Sequence, residues 1–169
     1  MEPWIDATEL RSMAIGAGLD EVGWAPASPV PVDADDLVRR VRDEMPRELG
    51  YVARRLPDRL DPSRLLPGLR TVVMTALAYA GPAPGIAAMP ADCGFVSRFA
   101  WCPDYHDEVL RRVTDLADRI AGRWQARTRA YVDTGPVLEK AWAAAAGLGF
   151  RSEERRVGKE GRSRWSPEH

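Results

Sequence analysis

Residues 131–140 read Tyr-Val-Asp-Thr-Gly-Pro-Val-Leu-Glu-Lys, and the fold that we predict for the chain depends most on this stretch. Its two leading residues, with Ala130 before them, are typical of the end of a buried strand. The Thr-Gly pair suits a turn, and Pro136 suits the first position of a helix, where a missing N–H does no harm. Asp133 would then lie at the exit of the strand, where α/β proteins often place chemistry. The alternative is that Asp133 only ties down the turn through its side chain.

The chain has the length and composition of one ordinary domain. Its 169 residues are 45% hydrophobic, enough to build a core. No apolar run approaches the ~18 residues of a membrane helix, and the acidic first residues lack the features of a signal peptide. A cytoplasmic location without membrane attachment is the default expectation. Cys93 and Cys102 match no metal-ligand spacing, so we expect no metal site built from this chain alone.

The net charge of −1 is unevenly distributed along the chain. Residues 151–169 contain six basic and four acidic residues, a net charge of +2, which leaves −3 for residues 1–150. A domain with this negative charge lacks the general electrostatic signature of a nucleic-acid-binding protein, although a local basic patch would be compatible with it.

Capping and turn residues divide the first eighty residues into short elements. We predict a helix that Asp6 or Thr8 caps and Gly18 ends, and a second helix that Asp33 caps. The other predicted elements are a strand over 21–25, a helix over 47–55, a turn with a short helix over 61–68, and a strand over 71–79. The last strand is the most apolar, which favours a central position buried on both faces. The loop over 80–92 is either a lid or a variable excursion.

The longest predicted helix spans residues 105–124. Apolar residues recur along it at three- and four-residue spacing: Val109, Val113, Leu116, Ile120 and Trp124. On the other face the i,i+4 pairs 107–111, 108–112 and 115–119 predict a solvated surface of ion pairs. A strand over 127–132 and a helix over 136–146 complete an α/β (α+β) fold, in which helices flank a mixed sheet of a few strands.

The last segment, residues 151–169, has the composition of a disordered tail. Its sequence resembles an in-frame translation of a DNA-sequencing adapter, from which Gly161 and Glu168 depart where Cys and Tyr are expected. We therefore predict a domain over 1–150 and a non-native tail over 151–169. The alternative is a basic tail that binds RNA.

Four segments in order resemble the amino-terminal part of epoxyqueuosine reductases. They are Glu-Leu-Gly-Tyr-Val-Ala-Arg at 48–54, Arg-Leu-Asp-Pro at 59–62 with Leu-Leu-Pro-Gly at 65–68, Val-Ser-Arg-Phe-Ala-Trp at 96–101 with Asp-Tyr-His at 104–106, and the opening stretch at 131–140. The resemblance covers essentially all of residues 6–150. It implies a cobalamin enzyme with two [4Fe–4S] clusters, which removes the epoxide oxygen from epoxyqueuosine in the tRNA anticodon stem-loop.

The resemblance also implies roles for individual residues. Asp133 corresponds to the catalytic acid. Matching positions around the cofactor or substrate are Arg54, Ser97, Arg98, Tyr105 and His106. An acid that delivers a proton at neutral pH must be shielded from water, so we expect Asp133 to be buried when the cofactor is bound.

Each of these residues also has a plainer interpretation. His106 would be a first-turn residue bonded to nearby backbone, Tyr105 a half-buried core ring, and Arg98 the partner of a nearby carboxylate. Cys102-Pro103 stands where the family pattern has Gly-Arg, which removes a basic contact and stiffens the loop. For base stacking, Phe99 and Trp101 are only candidates.

The chain contains no ferredoxin-type cysteine run to hold the clusters. We expect their ligands after Phe150, and we expect this chain by itself to be inactive. A monomer served by an external electron donor is the assembly that we predict. Two rival functions remain: a cobalamin- or tRNA-binding module without catalysis, and a related corrinoid reductase that acts on another substrate, such as an organohalide.

Overall fold

The structure is a computed structural model, and it describes residues 6–46, 50–79, 104–133 and 135–149. Its helices are α1 (Ala7–Gly16), α2 (Ala34–Asp43), α3 (Gly50–Arg54), α4 (Leu56–Leu60), α5 (Tyr105–Trp124) and α6 (Glu139–Ala145), with a 3₁₀ turn at Pro62–Arg64, and its strands are β1 (Glu21–Pro26) and β2 (Thr71–Ala76). The predicted lid over 80–92, the tail over 151–169, Ser97, Arg98 and both cysteines lie outside the described residues.

The two strands form an antiparallel pair, in register from Glu21 opposite Ala76 to Pro26 opposite Thr71. At one end of the pair the Asp20 carboxylate accepts the Ala78 N–H at 2.6 Å. The prediction of a central strand over 71–79 buried on both faces is wrong for the described part of the chain. There β2 pairs only with β1, ends at Ala76, and keeps every residue partly exposed. An apolar run reveals that a strand packs against something, but not how many neighbours it has.

The core forms where α1 and α5 pack together over β1. Its buried cluster consists of Leu10, Ala14, Ala17, Leu19, Val22 and Leu116. The apolar stripe predicted for α5 supplies Leu116, only 2% exposed, and also Val113, Ile120 and Trp124 at the edge of the cluster. The predicted bounds of α5 and its inward face are therefore confirmed.

Local capping signals are confirmed for the first two helices. The Asp6 carboxylate accepts the N–H groups of Thr8 and Glu9 at 2.8 and 2.9 Å. Asp33 accepts the Asp36 N–H at 2.9 Å at the start of α2. Gly18 follows α1 at φ +79°, a left-handed conformation that ends helices and favours glycine.

The arginines of α5 do more than form a solvated face. Arg112 pairs with Glu108 at 2.7 Å, as predicted, but it also donates to the carbonyl of Gly18 just after α1. Arg123 pairs with Glu9 of α1, and Arg111 pairs with Glu108 rather than with the predicted Asp107. Part of this charged surface therefore ties α5 to α1.

Two predictions on the opening stretch are wrong. Residues 127–132 run as an irregular segment instead of a strand. The side chains of Arg127 and Arg129 anchor this segment to the carbonyls of Pro67 and Leu65, the second at 2.9 Å, in place of a ladder. The last helix begins at Glu139 and not at Pro136, because Gly135 and Pro136 are buried in a tight turn.

Helix α6 packs on both strands and thereby fixes the far side of this turn. Trp142 on α6 is only 1% exposed, and the carbonyl of Ala146 lies against the Cα of Gly23 in β1. In the described part of the chain, no helix is long and apolar enough to cross a membrane.

Candidate active site around Asp133

Asp133 occupies an unusual backbone conformation. Its φ is +47°, in the left-handed region that aspartate adopts more readily than most residues but that still costs conformational energy. Its N–H donates to Oε1 of Glu139 at 3.0 Å, which satisfies the donor across the turn. The side chain is 46% exposed, so the described residues alone do not supply the burial expected with cofactor bound.

Tyr105 and His106, at the start of α5, meet the carboxylate of Asp133. The Tyr105 hydroxyl donates to Oδ2, and this bond to an anion raises the pKa of the Tyr105 phenol to about 12. Nε2 of His106 lies 3.5 Å from the same oxygen, longer than an ordinary hydrogen bond. The two rings stack with centroids 4.1 Å apart.

Asp104 organises this end of α5. Its carboxylate caps the helix by accepting the His106 N–H at 2.9 Å, and it contacts Nδ1 of the same imidazole at 2.7 Å. These two contacts with His106, the backbone N–H first, hold the pKa of Asp104 below its usual value. The ring of His106 is thereby held between two aspartates. An imidazole in that position can pass a proton between the two carboxylates.

Glu139 places a second carboxyl group beside Asp133. Burial raises the pKa of Glu139, and the nearby charge of Asp133 adds to the effect. The guanidinium of Arg59 acts in the opposite direction. Nη1 of Arg59 also donates to the Val137 carbonyl at 3.1 Å, whereas its Nε is buried and has no partner in the described part of the chain.

Two clefts border this group of residues. The first has a volume of about 420 Å³, and its lining is Asp104, His106, Asp107, Leu110, Ala130, Tyr131 and Val132. The second has a volume of about 330 Å³, and its lining is Tyr51, Arg54, Arg55, Arg59, Asp133 and Pro136. Arg55 pairs with Asp58 at 2.9 Å, whereas Arg54 makes no ion pair with any described residue. The arrangement offers a polar, largely cationic cleft with an acid at its edge.

The structure brings together most of the residues predicted for the site. Asp133, Tyr105 and His106 are in contact, and Arg54 lines the same cleft as Asp133. Of the plainer interpretations, Tyr105 is half-buried as predicted, whereas the His106 ring contacts the Asp104 and Asp133 carboxylates and not nearby backbone. Ser97 and Arg98 lie outside the described residues.

Three residues of the site had no predicted role: Asp104, Glu139 and Arg59. All three belong to the sequence segments that carry the family resemblance, which was the available signal. The partners of Glu139 and Arg59 lie across a turn or in another segment, and spacing along the chain does not reveal such contacts. Asp104 differs, because it caps the helix that begins at the next residue, and that local signal was available in the sequence.

Comparisons with known proteins agree with the resemblance. A family described as "Epoxyqueuosine reductase QueG, DUF1730" matches residues 59–134. The epoxyqueuosine reductase of Gloeobacter violaceus is 46% identical over 99 residues, which cover 56% of this chain and 29% of that protein. The one from Leadbetterella byssophila is 32% identical over 143 residues, 84% of this chain and 46% of the relative.

Solved structures give the same result. A crystal structure of epoxyqueuosine reductase with an epoxyqueuosine-modified tRNA-Tyr stem loop superposes with a TM-score of 0.66 at 29% identity, over 85% of this chain and 38% of that one. The Bacillus subtilis enzyme, in a structure with an aspartate catalytic loop swung out of the active site, superposes with a TM-score of 0.59 at 26% identity. The chain thus spans less than half the length of these relatives. Together, the matches place residues 59–134 in the epoxyqueuosine reductase family, and the chain is similar to these enzymes over most of its own length.

Proposed function

We propose that the protein takes part in the reduction of epoxyqueuosine to queuosine in a tRNA anticodon stem-loop, with Asp133 as the proton donor. The observation that carries the proposal is the Asp133 carboxylate at the edge of a cationic cleft, in contact with Tyr105 and near His106. The relative solved with an epoxyqueuosine-modified stem loop supports this choice of substrate. Removal of the epoxide oxygen consumes two electrons and two protons and yields an alkene and water.

The residues of this chain would manage the protons. Tyr105 and His106 both approach Oδ2 of Asp133, which orients the carboxyl group. His106, held at Nδ1 by Asp104, is suited to return a proton to Asp133 after each turnover. Bound substrate and cofactor would exclude water from the carboxyl group, which the described residues leave 46% exposed.

The turn that carries Asp133 is, in this proposal, the equivalent of the catalytic loop of the Bacillus subtilis relative, which was found swung out of the active site. Two features support the comparison. The conformation of Asp133 has a positive φ, and its side chain meets Tyr105 from another segment of the chain. A turn held by few bonds of this kind is suited to movement.

Cobalamin fits the residues that are present. Its polar periphery needs hydrogen-bond donors, and Arg54 supplies them in the cleft that Asp133 borders. The Tyr105 hydroxyl already donates to Asp133, so Tyr105 and His106 belong to the proposed binding set by their position beside Asp133 and by the resemblance. The buried Nε of Arg59, without a partner in the described residues, is a further donor beside the second cleft. When bound, cobalamin would supply the two-electron reduction. Ser97 and Arg98 belong to the proposed binding set by resemblance alone.

The [4Fe–4S] clusters do not fit this chain. Each takes four thiolate ligands, whereas the sequence contains only Cys93 and Cys102. Among the residues that the structure describes, no group of His, Cys, Asp and Glu could hold a metal ion. We infer that both clusters belong to a part of the full-length protein outside residues 1–150, served by an external electron donor, and that residues 151–169 are a non-native tail. We propose a cytoplasmic location, because the proposed substrate is tRNA, and a monomeric protein.

The test of the proton donor uses a chimera in which residues 6–149 of this chain replace the matching part of an intact relative. In this chimera, Asp133→Asn should retain cobalamin, measured by visible absorbance, and lose conversion of an epoxyqueuosine-modified stem loop. Asp118→Asn, an exposed carboxylate on α5, serves as the matched control and should leave conversion unchanged. Conversion at the parental rate by the Asp133→Asn chimera would reject Asp133 as the donor.

A further inference from the structure

The turn from Asp133 to Glu139 is closed by a bond between its two ends. The Asp133 N–H donates to Oε1 of Glu139 at 3.0 Å. The φ of Asp133 is +47°, and the acceptor of its N–H comes from the other side of the turn. Glu139 is the first residue of α6, so the bond connects the turn to a packed helix.

The position of Glu139 is itself well defined. Helix α6 is anchored by Trp142, only 1% exposed, and packs on both strands. Arg59 of α4 donates to the carbonyl of Val137 at 3.1 Å and exerts an attraction on the Glu139 carboxylate. The acceptor side of the bond therefore belongs to a packed helix, whereas Asp133 itself is exposed.

The same turn sets the contact between Asp133 and α5. The Tyr105 hydroxyl reaches Asp133 across 28 positions of sequence, and neither residue belongs to the α1–β1–α5 core. If the turn moves, the Asp133 side chain moves with it and this contact opens. The Glu139 bond opposes such a movement at Asp133 itself, whereas the Arg59 bond holds the turn at Val137.

We propose that Glu139 is a positioning residue, which latches the Asp133 turn to α6 so that the Asp133 carboxylate faces Tyr105. Glu139 acts through Asp133 and does not touch the reacting atoms. The inference rests on the proposed role of Asp133 as the proton donor, but the latch is a property of this chain that is measurable without turnover. An anionic acceptor suits this task, since hydrogen bonds to charged groups are stronger than neutral ones.

The experiment uses the complete 169-residue chain and two variants of Glu139. Glu139→Ala removes the acceptor. Glu139→Asp keeps the charge at the first helix position but withdraws the carboxylate by one methylene, too far to bond the Asp133 N–H. Lys140→Ala, an exposed neighbour on α6, is the matched control. Far-UV circular dichroism monitors the fold of each variant.

Two measurements report whether the bond between Asp133 and Glu139 is formed. Hydrogen exchange of the Asp133 amide, measured by NMR, should become about tenfold faster in both Glu139 variants, as for the loss of one charge-assisted bond. The titration midpoint of Tyr105, assigned with Tyr105→Phe, is compared in Glu139→Asp, because the charge of Glu139 itself also raises the Tyr105 pKa and this variant keeps that charge. In Glu139→Asp the midpoint should fall from about 12 towards 10.0 as the phenol loses its anionic acceptor. Lys140→Ala should change neither quantity.

A folded Glu139→Asp variant with unchanged Asp133 exchange and an unchanged Tyr105 midpoint would overturn the latch. Loss of the circular dichroism signal in both Glu139 variants would also overturn it, because Glu139 would then be a folding residue. The two proposals fail separately. Retained conversion by the Asp133→Asn chimera would reject the proton donor without affecting the exchange result, and unchanged exchange would reject the latch whatever the conversion assay gives.

Discussion

The α1–β1–α5 core and the turn at residues 133–139 are stabilised in different ways. In the core, apolar side chains such as Leu10 and Leu116 are almost fully buried, and local caps fix the helix ends. In the turn, single hydrogen bonds join segments that are distant in sequence: Tyr105 to Asp133, and Arg59 to Val137. The core therefore tolerates loss of one polar contact, whereas the turn depends on each of its bonds.

The largest expected effect is in the core. Leu116→Ala should reduce the free energy of unfolding by about 2–5 kcal/mol, because the cavity left by a fully buried leucine closes only in part. Leu110→Ala on the same helix is the control, since Leu110 is 43% exposed and its removal should cost much less. Urea denaturation measures both values. Equal losses for the two variants would show that burial does not separate these positions.

A smaller effect of about 1–3 kcal/mol is expected from Gly135→Ala in the turn. A Cβ at this position would lie 2.6 Å from Cδ1 of Tyr131, so the ring or the turn must shift. We expect the Tyr105 titration midpoint to fall in the same variant, because Asp133 would move. Gly122→Ala in α5 has the opposite expected sign: nothing lies within 4 Å of its Cβ, and alanine favours a helix by roughly 0.5–1 kcal/mol. Thermal and urea unfolding of both variants would test the contrast.

The smallest expected effects are on the pH dependence of stability. Their direction is opposite for Glu108 of α5 and for Glu139 of the turn. Ion pairs with Arg111 and Arg112 lower the pKa of Glu108 to about 2. A lowered pKa in the folded state gives stability that is complete above the unfolded value near 4.5 and is lost as pH falls towards 2. Burial raises the pKa of Glu139, so its contribution is complete below the unfolded value and is lost as pH rises through the folded value.

Substitution by glutamine separates the two contributions. Glu108→Gln should remove part of the loss of stability at acidic pH, and Glu139→Gln should remove part of the loss as pH rises above the unfolded value of 4.5. Urea midpoints between pH 2 and pH 7 measure both. Parallel pH profiles for the two variants would contradict the opposite directions of the shifts.

The predictions from sequence were most accurate where the signal is local. The caps at Asp6 and Asp33, the end of α1 before Gly18 and the full length of α5 depend on residues within a few positions of each other. The predictions failed where contacts between segments distant in sequence decide the secondary structure. Residues 127–132 have the apolar character of a strand. Two arginine side chains, and not backbone hydrogen bonds to a neighbouring strand, attach this segment to the rest of the chain.

The sequence by itself determined the helix periodicity, the caps, the family resemblance and the identity of Asp133 as the acid of interest. Only the tertiary structure decided that Asp133 adopts a left-handed conformation, that Tyr105 and His106 converge on its carboxylate, and that Glu139 accepts its N–H. The physical reason is that caps and amphipathic stripes are properties of one turn or one helix. A hydrogen bond across 28 positions exists only after α5 and α6 have packed around the sheet and the core.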